Sequence, residues 1–253
     1  SDPAGMETTA VKRGDLWVLN GTKTWISNAT VADLALIFAQ TDPGKGHDGI
    51  AAFLVEKGSS GFSTRPITGK LGLRASDTGE LIFENCSAPD AALLGQRGQG
   101  FKVAMTALDN GRYSVAAGCV GIIQGCLDAC TEYAKMRKQF GRRIGSFQLV
   151  QDMIARMAVD LDAARLLVFR AGSLKNQGLP STVETSIAKY FASEAAVRAA
   201  TDAVQIFGGY GYSEEMPVAR YYRDAKVATI YEGTSQIQKL IIGSHLLGMK
   251  AFT

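Results

Sequence analysis

The stretch Tyr231-Glu232-Gly233-Thr234-Ser235-Gln236-Ile237-Gln238 is the part of the chain best equipped for proton chemistry. It puts a carboxylate on a loop immediately before an apolar-periodic helix. Ser235 and Gln238 have the Ser-x-x-Gln spacing of a capping box, Thr234 or Ser235 can cap the helix, and Gly233 lets another group approach the backbone closely. Glu232 is therefore expected beside exposed N–H donors at a helix N-terminus, where a general base and an oxyanion donor can stand side by side. The helix dipole alone also favours an acidic residue there, so the spacing leaves both readings open.

Four other groups of residues have chemical potential and an ordinary reading beside it. Residues 135–143 carry five cations and no acid; planar arginines there can pair bidentately with phosphate oxygens, or simply solvate a helix C-terminus. Asp109-Asn110-Gly111-Arg112 sets an acid and a base at i,i+3, either a site pair or a weak surface ion pair. Trp25 lies in a strand pattern, where an indole suits a core as well as a cofactor wall. Among the cysteines, Cys119, Cys126 and Cys130 recur at helical spacing, while His47 and His245 lie far off in sequence. Small buried core thiols are expected rather than a metal site.

These groups must be positioned by two regions of different grain. Residues 1–96 read as all-β: strands at 16–19 and 22–26 joined at Asn20-Gly21 as a tight hairpin, then 34–40, 50–56, 62–67 and 80–84, with turn signals between them. The spacing suggests a small barrel or sandwich. Residues 97–253 read as helices at 101–137, 147–176 and 182–207, with Ser181 or Thr182 as a cap, then a short helix at 217–227 and a last one ending near 247. Short connections between long helices argue for an antiparallel four-helix bundle, so the fold class is α+β in two domains. A formal charge of +3 is too small to argue for nucleic acid or a membrane surface. The longest apolar run, at 115–123, is short of a membrane span, and no signal peptide is recognisable.

Together Trp25-Ile26-Ser27-Asn28, Arg137-Lys138-Gln139-Phe140-Gly141, Gln205-Ile206-Phe207-Gly208-Gly209, Arg223-Asp224-Ala225 and residues 231–238 resemble the acyl-CoA dehydrogenase flavoenzyme family, in order and over almost the whole chain. The resemblance implies FAD as cofactor and Glu232 as the base that removes the α-proton of an acyl-CoA thioester while the flavin takes the β-hydride. The thioester oxygen would rest on the Glu232 N–H and a flavin ribityl hydroxyl. Some members carry the base in the first long helix; that position is Gly111 here, which leaves Glu232 without a competitor. The resemblance assigns Trp25 and Ser27 to the isoalloxazine ring. It assigns Arg137, Gln139, Phe140, Gln148, Gln205, Gly208 and Gly209 to the nucleotide side of a neighbouring subunit's FAD, and Thr234 and Gln236 to further FAD contacts. Asp109, Arg112, Tyr231, Gly233 and Ser1 fall on the substrate side.

The same resemblance implies a homotetramer built as a dimer of dimers, an electron-transferring flavoprotein as electron acceptor, and bacterial cytoplasm or mitochondrial matrix as compartment. Gly111 beside Arg112 resembles short-chain and short-branched-chain members. An acyl-CoA oxidase is the same-chemistry alternative. One departure stands out: the family begins with a helical domain not recognisable here, and Ser1-Asp2 resembles the tail of the family's Thr-Glu-Pro-x-x-Gly-Ser-Asp motif. The expectation is a piece of a longer chain, or a separate chain supplying that domain; a non-catalytic fragment or structural subunit is the alternative of a different class.

Overall fold

The computed structural model describes residues 2–251, which form two compact units divided between Ala107 and Leu108. The change from strand to helix comes at Gly100, and the division falls inside the first long helix.

Among the described residues, the first unit is built on one sheet of seven strands: β1 (Thr9–Arg13), β2 (Leu16–Ser27), β3 (Leu34–Gln40), β4 (Ile50–Glu56), β5 (Phe62–Pro66), β6 (Thr78–Pro89) and β7 (Leu93–Leu94). Their order is β5-β6-β2-β1-β3-β4-β7, with β1 and β3 parallel and the other neighbours antiparallel. Trp17 on β2 meets Phe53 on β4 edge-on, ring centroids 5.2 Å apart. Those strands are three intervals apart in the order, roughly 14 Å in a flat sheet. The sheet therefore curls around its core of Trp17, Leu19, Ile37, Phe53, Val55, Leu81 and Phe83.

The hairpin expected at Asn20-Gly21 is not formed. β2 runs straight through, because β6 pairs with it on both sides of that point and takes up the extra residue as a bulge between Leu19 and Gly21. Gly21 has φ +131, and a Cβ there would lie 2.9 Å from the Thr8 backbone. The two-residue hairpin instead joins β1 to β2 at Gly14-Asp15, with Gly14 at φ +61 and Arg13 opposite Leu16.

Helix α1 (Gly100–Met136) starts in the first unit and runs on in the second. The second unit continues with a two-stranded ribbon, β8 (Lys138–Gln139) and β9 (Arg142–Arg143), then α2 (Gln148–Asn176), α3 (Thr182–Phe207), α4 (Pro217–Ala225) and α5 (Ser235–Leu247). Gly178 at φ +67 ends α2 as its sequence suggests. Seven alanines of α3 from Ala188 to Ala203 are buried, and their small size lets α1 and α2 approach closely. By length and composition α1 could cross a membrane, with a window of mean hydropathy 1.4, which the longest apolar run understates. Its stripe of Ala116, Cys119, Ile123, Cys126 and Cys130 is instead buried against α2 and α3. All four cysteines are free and buried, and burial pushes Cys119, Cys126 and Cys130 up to about 12.

Candidate active site

Three helices of the second unit converge on the loop before α5. Glu232 has φ +54, a left-handed conformation uncommon outside glycine, and Gly233 follows at φ +86. Side-chain donors hold this turn through its carbonyls. The Glu232 carbonyl accepts from Arg112 Nε at 3.3 Å and Gln238 Nε2 at 3.2 Å. The Gly233 carbonyl accepts from Lys189 Nζ at 2.6 Å and Gln238 Nε2 at 3.0 Å. The donors come from α1, α3 and α5, so the turn is fixed from three directions.

The capping box expected of Ser235 and Gln238 is absent. Thr234 is the cap, its hydroxyl accepting from the Ile237 N–H at 3.3 Å. That frees Ser235 to donate to Glu194 Oε1 at 2.6 Å and Gln238 to reach back to the two carbonyls. Ser181 holds the N-cap position of α3 without a side-chain cap bond, and Thr182 donates instead to Asp109 Oδ2 at 2.7 Å.

The Glu232 carboxyl lies against the α1 backbone at Gly111. A Cβ built on Gly111 would come within 2.3 Å of Oε2 and 2.6 Å of Cδ. Oε2 is buried and has no hydrogen-bond partner among the described residues. Burial raises the Glu232 pKa, and the cations of Arg112 and Lys189 pull it part of the way back. A buried carboxyl oxygen with a raised pKa and no hydrogen-bond partner among the described residues makes Glu232 a candidate proton acceptor.

Arg112 is only 7% exposed, so the surface ion-pair reading of Asp109 and Arg112 does not hold. Its Nη1 reaches Asp109 Oδ1 at 3.1 Å while Nε serves the Glu232 turn. Tyr231 is partly exposed, and burial together with Cys119, Glu232 and Asp224 raises its hydroxyl pKa. Lys189, absent from the sequence reading, is fully buried here. Its signal was a lone cation on the alanine-rich apolar face of α3.

A second feature of the same unit is a cleft of about 560 Å³ lined by Tyr133, Arg137, Gln139, Gly208, Gly209 and Tyr210 among others. The cation-rich stretch is thus a tight ribbon rather than a frayed helix end. Phe140 and Gly141, at φ +53 and +75, turn it, leaving Phe140 92% exposed at the tip. Gly208 at φ +61 turns the chain after α3, and no neighbour would meet a Cβ at Gly208 or Gly209, so the backbone is open to close approach there. Gln148 and Gln205 are exposed outside this lining, and Gln236 is exposed in the first turn of α5.

In the first unit, Trp25 is 66% exposed, which rules out the core reading. It sits at φ +63 within an irregularity of the β2–β6 register that ends with Ile26, next to exposed Ser27. A bulky residue held left-handed and displayed to solvent suits a contact surface for a planar group. Ser1 lies outside the described residues.

Family models add a decisive observation: the acyl-CoA dehydrogenase middle domain matches residues 1–86 and the C-terminal domain residues 98–247. The chain belongs to the acyl-CoA dehydrogenase family. It is 50% identical over 248 residues to an acyl-CoA dehydrogenase of Bacillus subtilis, covering 98% of this chain and 65% of that protein. It is 48% identical over 247 residues to the mitochondrial short-chain specific acyl-CoA dehydrogenase of Mus musculus, covering 98% of this chain and 60% of that protein. Its fold superposes on butyryl-CoA dehydrogenase from Megasphaera elsdenii with a TM-score of 0.94 at 45% identity, over 98% of this chain and 66% of the other. The chain thus spans about 60–65% of the length of the curated relatives it matches. Acyl-CoA dehydrogenase family members are FAD-dependent flavoproteins. The residues present fit such a group: an open glycine backbone at Gly208 and Gly209 lines a cleft carrying Arg137.

Proposed function

We propose that this chain carries the catalytic base and FAD-contacting residues of an acyl-CoA dehydrogenase that introduces an α,β double bond into short-chain acyl-CoA thioesters. The observation that carries the reading is the buried, unpartnered Oε2 of Glu232, held against Gly111 by a turn fixed at both of its carbonyls. FAD, when bound, supplies the hydride acceptor that no amino acid provides.

Glu232 takes the α-proton on its carboxylate. Burial raises its pKa, which strengthens it as a base, and the charges of Arg112 and Lys189 oppose that rise. The backbone N–H of Glu232 serves the thioester carbonyl, stabilising the charge that develops as the α-proton leaves. Arg112 positions the turn through the Glu232 carbonyl and is itself oriented by Asp109, which Thr182 holds. Tyr231 and Gly233 flank the base, and a Cβ on Gly233 would come within 2.6 Å of Gln238 Nε2, so the glycine lets that amide close on the turn. Trp25 and Ser27 are assigned to the isoalloxazine ring. Arg137, Gln139, Phe140, Gln148, Gln205, Gly208 and Gly209 are assigned to the nucleotide, with the guanidinium of Arg137 for its phosphates, and Thr234 and Gln236 to further FAD contacts.

Short acyl chains are favoured by the short-chain and butyryl-CoA specificities named for two of the relatives. An electron-transferring flavoprotein is the proposed electron acceptor, a homotetramer the proposed assembly, and bacterial cytoplasm or mitochondrial matrix the proposed compartment. The test is anaerobic addition of butyryl-CoA to the FAD-loaded protein. Bleaching of the flavin band is expected. Glu232→Gln should keep flavin binding and lose bleaching by orders of magnitude. Flavin that binds but never bleaches with any acyl-CoA would favour the non-catalytic reading, and near-normal turnover in the variant would sink Glu232 as base.

A further inference from the structure

Lys189 is an unusual residue to find where it is. It is completely buried in α3, on the face that otherwise presents alanines to the core. An ammonium without water needs strong acceptors. The closest acceptor is the carbonyl of Gly233, at 2.6 Å, the residue after the proposed base. The side chain of Gln238, also fully buried, donates to that same carbonyl and to the Glu232 carbonyl. The turn these donors grip is one that no regular element would impose, with Glu232 in a left-handed conformation.

We propose that Lys189 is a positioning residue for Glu232: its buried ammonium anchors the Gly233 carbonyl, holds the left-handed Glu232 turn, and keeps the carboxyl seated over Gly111 with its charge partly balanced. The inference rests on the reading of Glu232 as base, but its geometric content does not. The groups that act on Lys189 electrostatically are the Cys119 thiol and Arg112 of α1, Glu194 of α3 itself, and Glu232 of the loop before α5. Glu194 is already occupied by the Ser235 hydroxyl, so it is a shared rather than a dedicated counterion. Burial brings the lysine down to about 8, and the ammonium is the form that offers both a donor and a charge to the Glu232 turn. In that state it acts on Glu232 in two ways: a hydrogen bond that fixes the backbone and a positive charge that restrains the rise in the carboxyl pKa. A purely structural lysine would do neither at Glu232.

The test compares Lys189→Met, which removes charge and donor, with Lys189→Gln, which keeps a donor without the charge. Protein labelled with 13C at glutamate carboxyls is titrated by NMR, with Glu232→Gln identifying the signal. Both variants should raise the Glu232 pKa, by roughly half a unit to one unit. In the FAD-loaded protein the acid limb of kcat should move to higher pH by the same amount. Lys189→Met should lower kcat by about one to two orders of magnitude with KM nearly unchanged, and Lys189→Gln should recover part of kcat but not the pH shift. A folded variant whose Glu232 titrates as in the parent overturns the proposal, as does failure of both variants to fold, which would make Lys189 a structural residue only. The carboxyl titration needs no turnover. An absence of dehydrogenase activity would therefore defeat the proposed function while leaving the positioning role to be judged by NMR.

Discussion

Gly111→Ala should separate stability from chemistry at this site. In the interior of α1 an alanine is favoured over glycine by about 1 kcal/mol. In a unit of this size that is worth roughly 2–4 °C in Tm. The new Cβ would lie 2.3 Å from Glu232 Oε2, against the 3.4 Å at which ordinary contact begins, so the carboxyl must retreat by about 1 Å. What stands in the way is the end of a flexible side chain rather than backbone, and an off-rotamer glutamate costs only about 0.5–1.5 kcal/mol. The fold should therefore be as stable as the parent, within about 1 kcal/mol. Misplacing a base by about 1 Å can cost about 100-fold in rate, or roughly 2.7 kcal/mol of barrier. Thermal unfolding and stopped-flow flavin reduction by butyryl-CoA would measure the two sides on one preparation. A variant that reduces its flavin at the parental rate, or that loses several kcal/mol of stability, would refute the packing of the carboxyl on Gly111 as the reason for the glycine.

Two further outcomes follow from the same geometry. Because burial raises the folded-state pKa of Glu232 above 4.5, the native state binds more protons than the unfolded state between those two values. The stability this residue contributes is fully present below the unfolded value and is lost as pH rises through the folded one; Glu232→Gln should abolish that decline and raise Tm near neutral pH, seen by scanning calorimetry across pH, whereas an equal or lower Tm there would contradict the burial. In the cleft, Arg137→Gln should weaken FAD binding by roughly tenfold, through loss of one charge-assisted contact, with a Tm of the flavin-free protein nearly unchanged; fluorescence titration of the apoprotein measures it, and unchanged affinity would remove Arg137 from the phosphate site.

Local patterning placed most elements well. β3 and β4 are bounded by turn residues and read directly, as do the C-terminal ends of α2 and α3, which Gly178 and Gly208 follow in left-handed conformations. The errors occur where a distant strand or side chain decides. Asn20-Gly21 has the composition of a hairpin, but β6 offers pairing on both sides and makes it a bulge. Ser235 and Gln238 have the spacing of a capping box, but Glu194 takes the serine and the turn carbonyls take the glutamine. Residues 135–143 read equally as a cationic helix end because the ribbon at 138–143, with two left-handed residues at its tip, has no apolar period to announce it.

The sequence by itself determined the family and the order of strands before helices, and it singled out Glu232 as the candidate base, because motif residues and periodicity are local properties of the chain. Only the tertiary structure decided how that carboxylate is set. Its burial, its contact with Gly111, and the grip of Arg112, Lys189 and Gln238 on two successive carbonyls join positions up to 120 residues apart. A pKa and a backbone conformation depend on what surrounds a group in space, and α1, α3 and α5 meet around Glu232 only once the helices have packed.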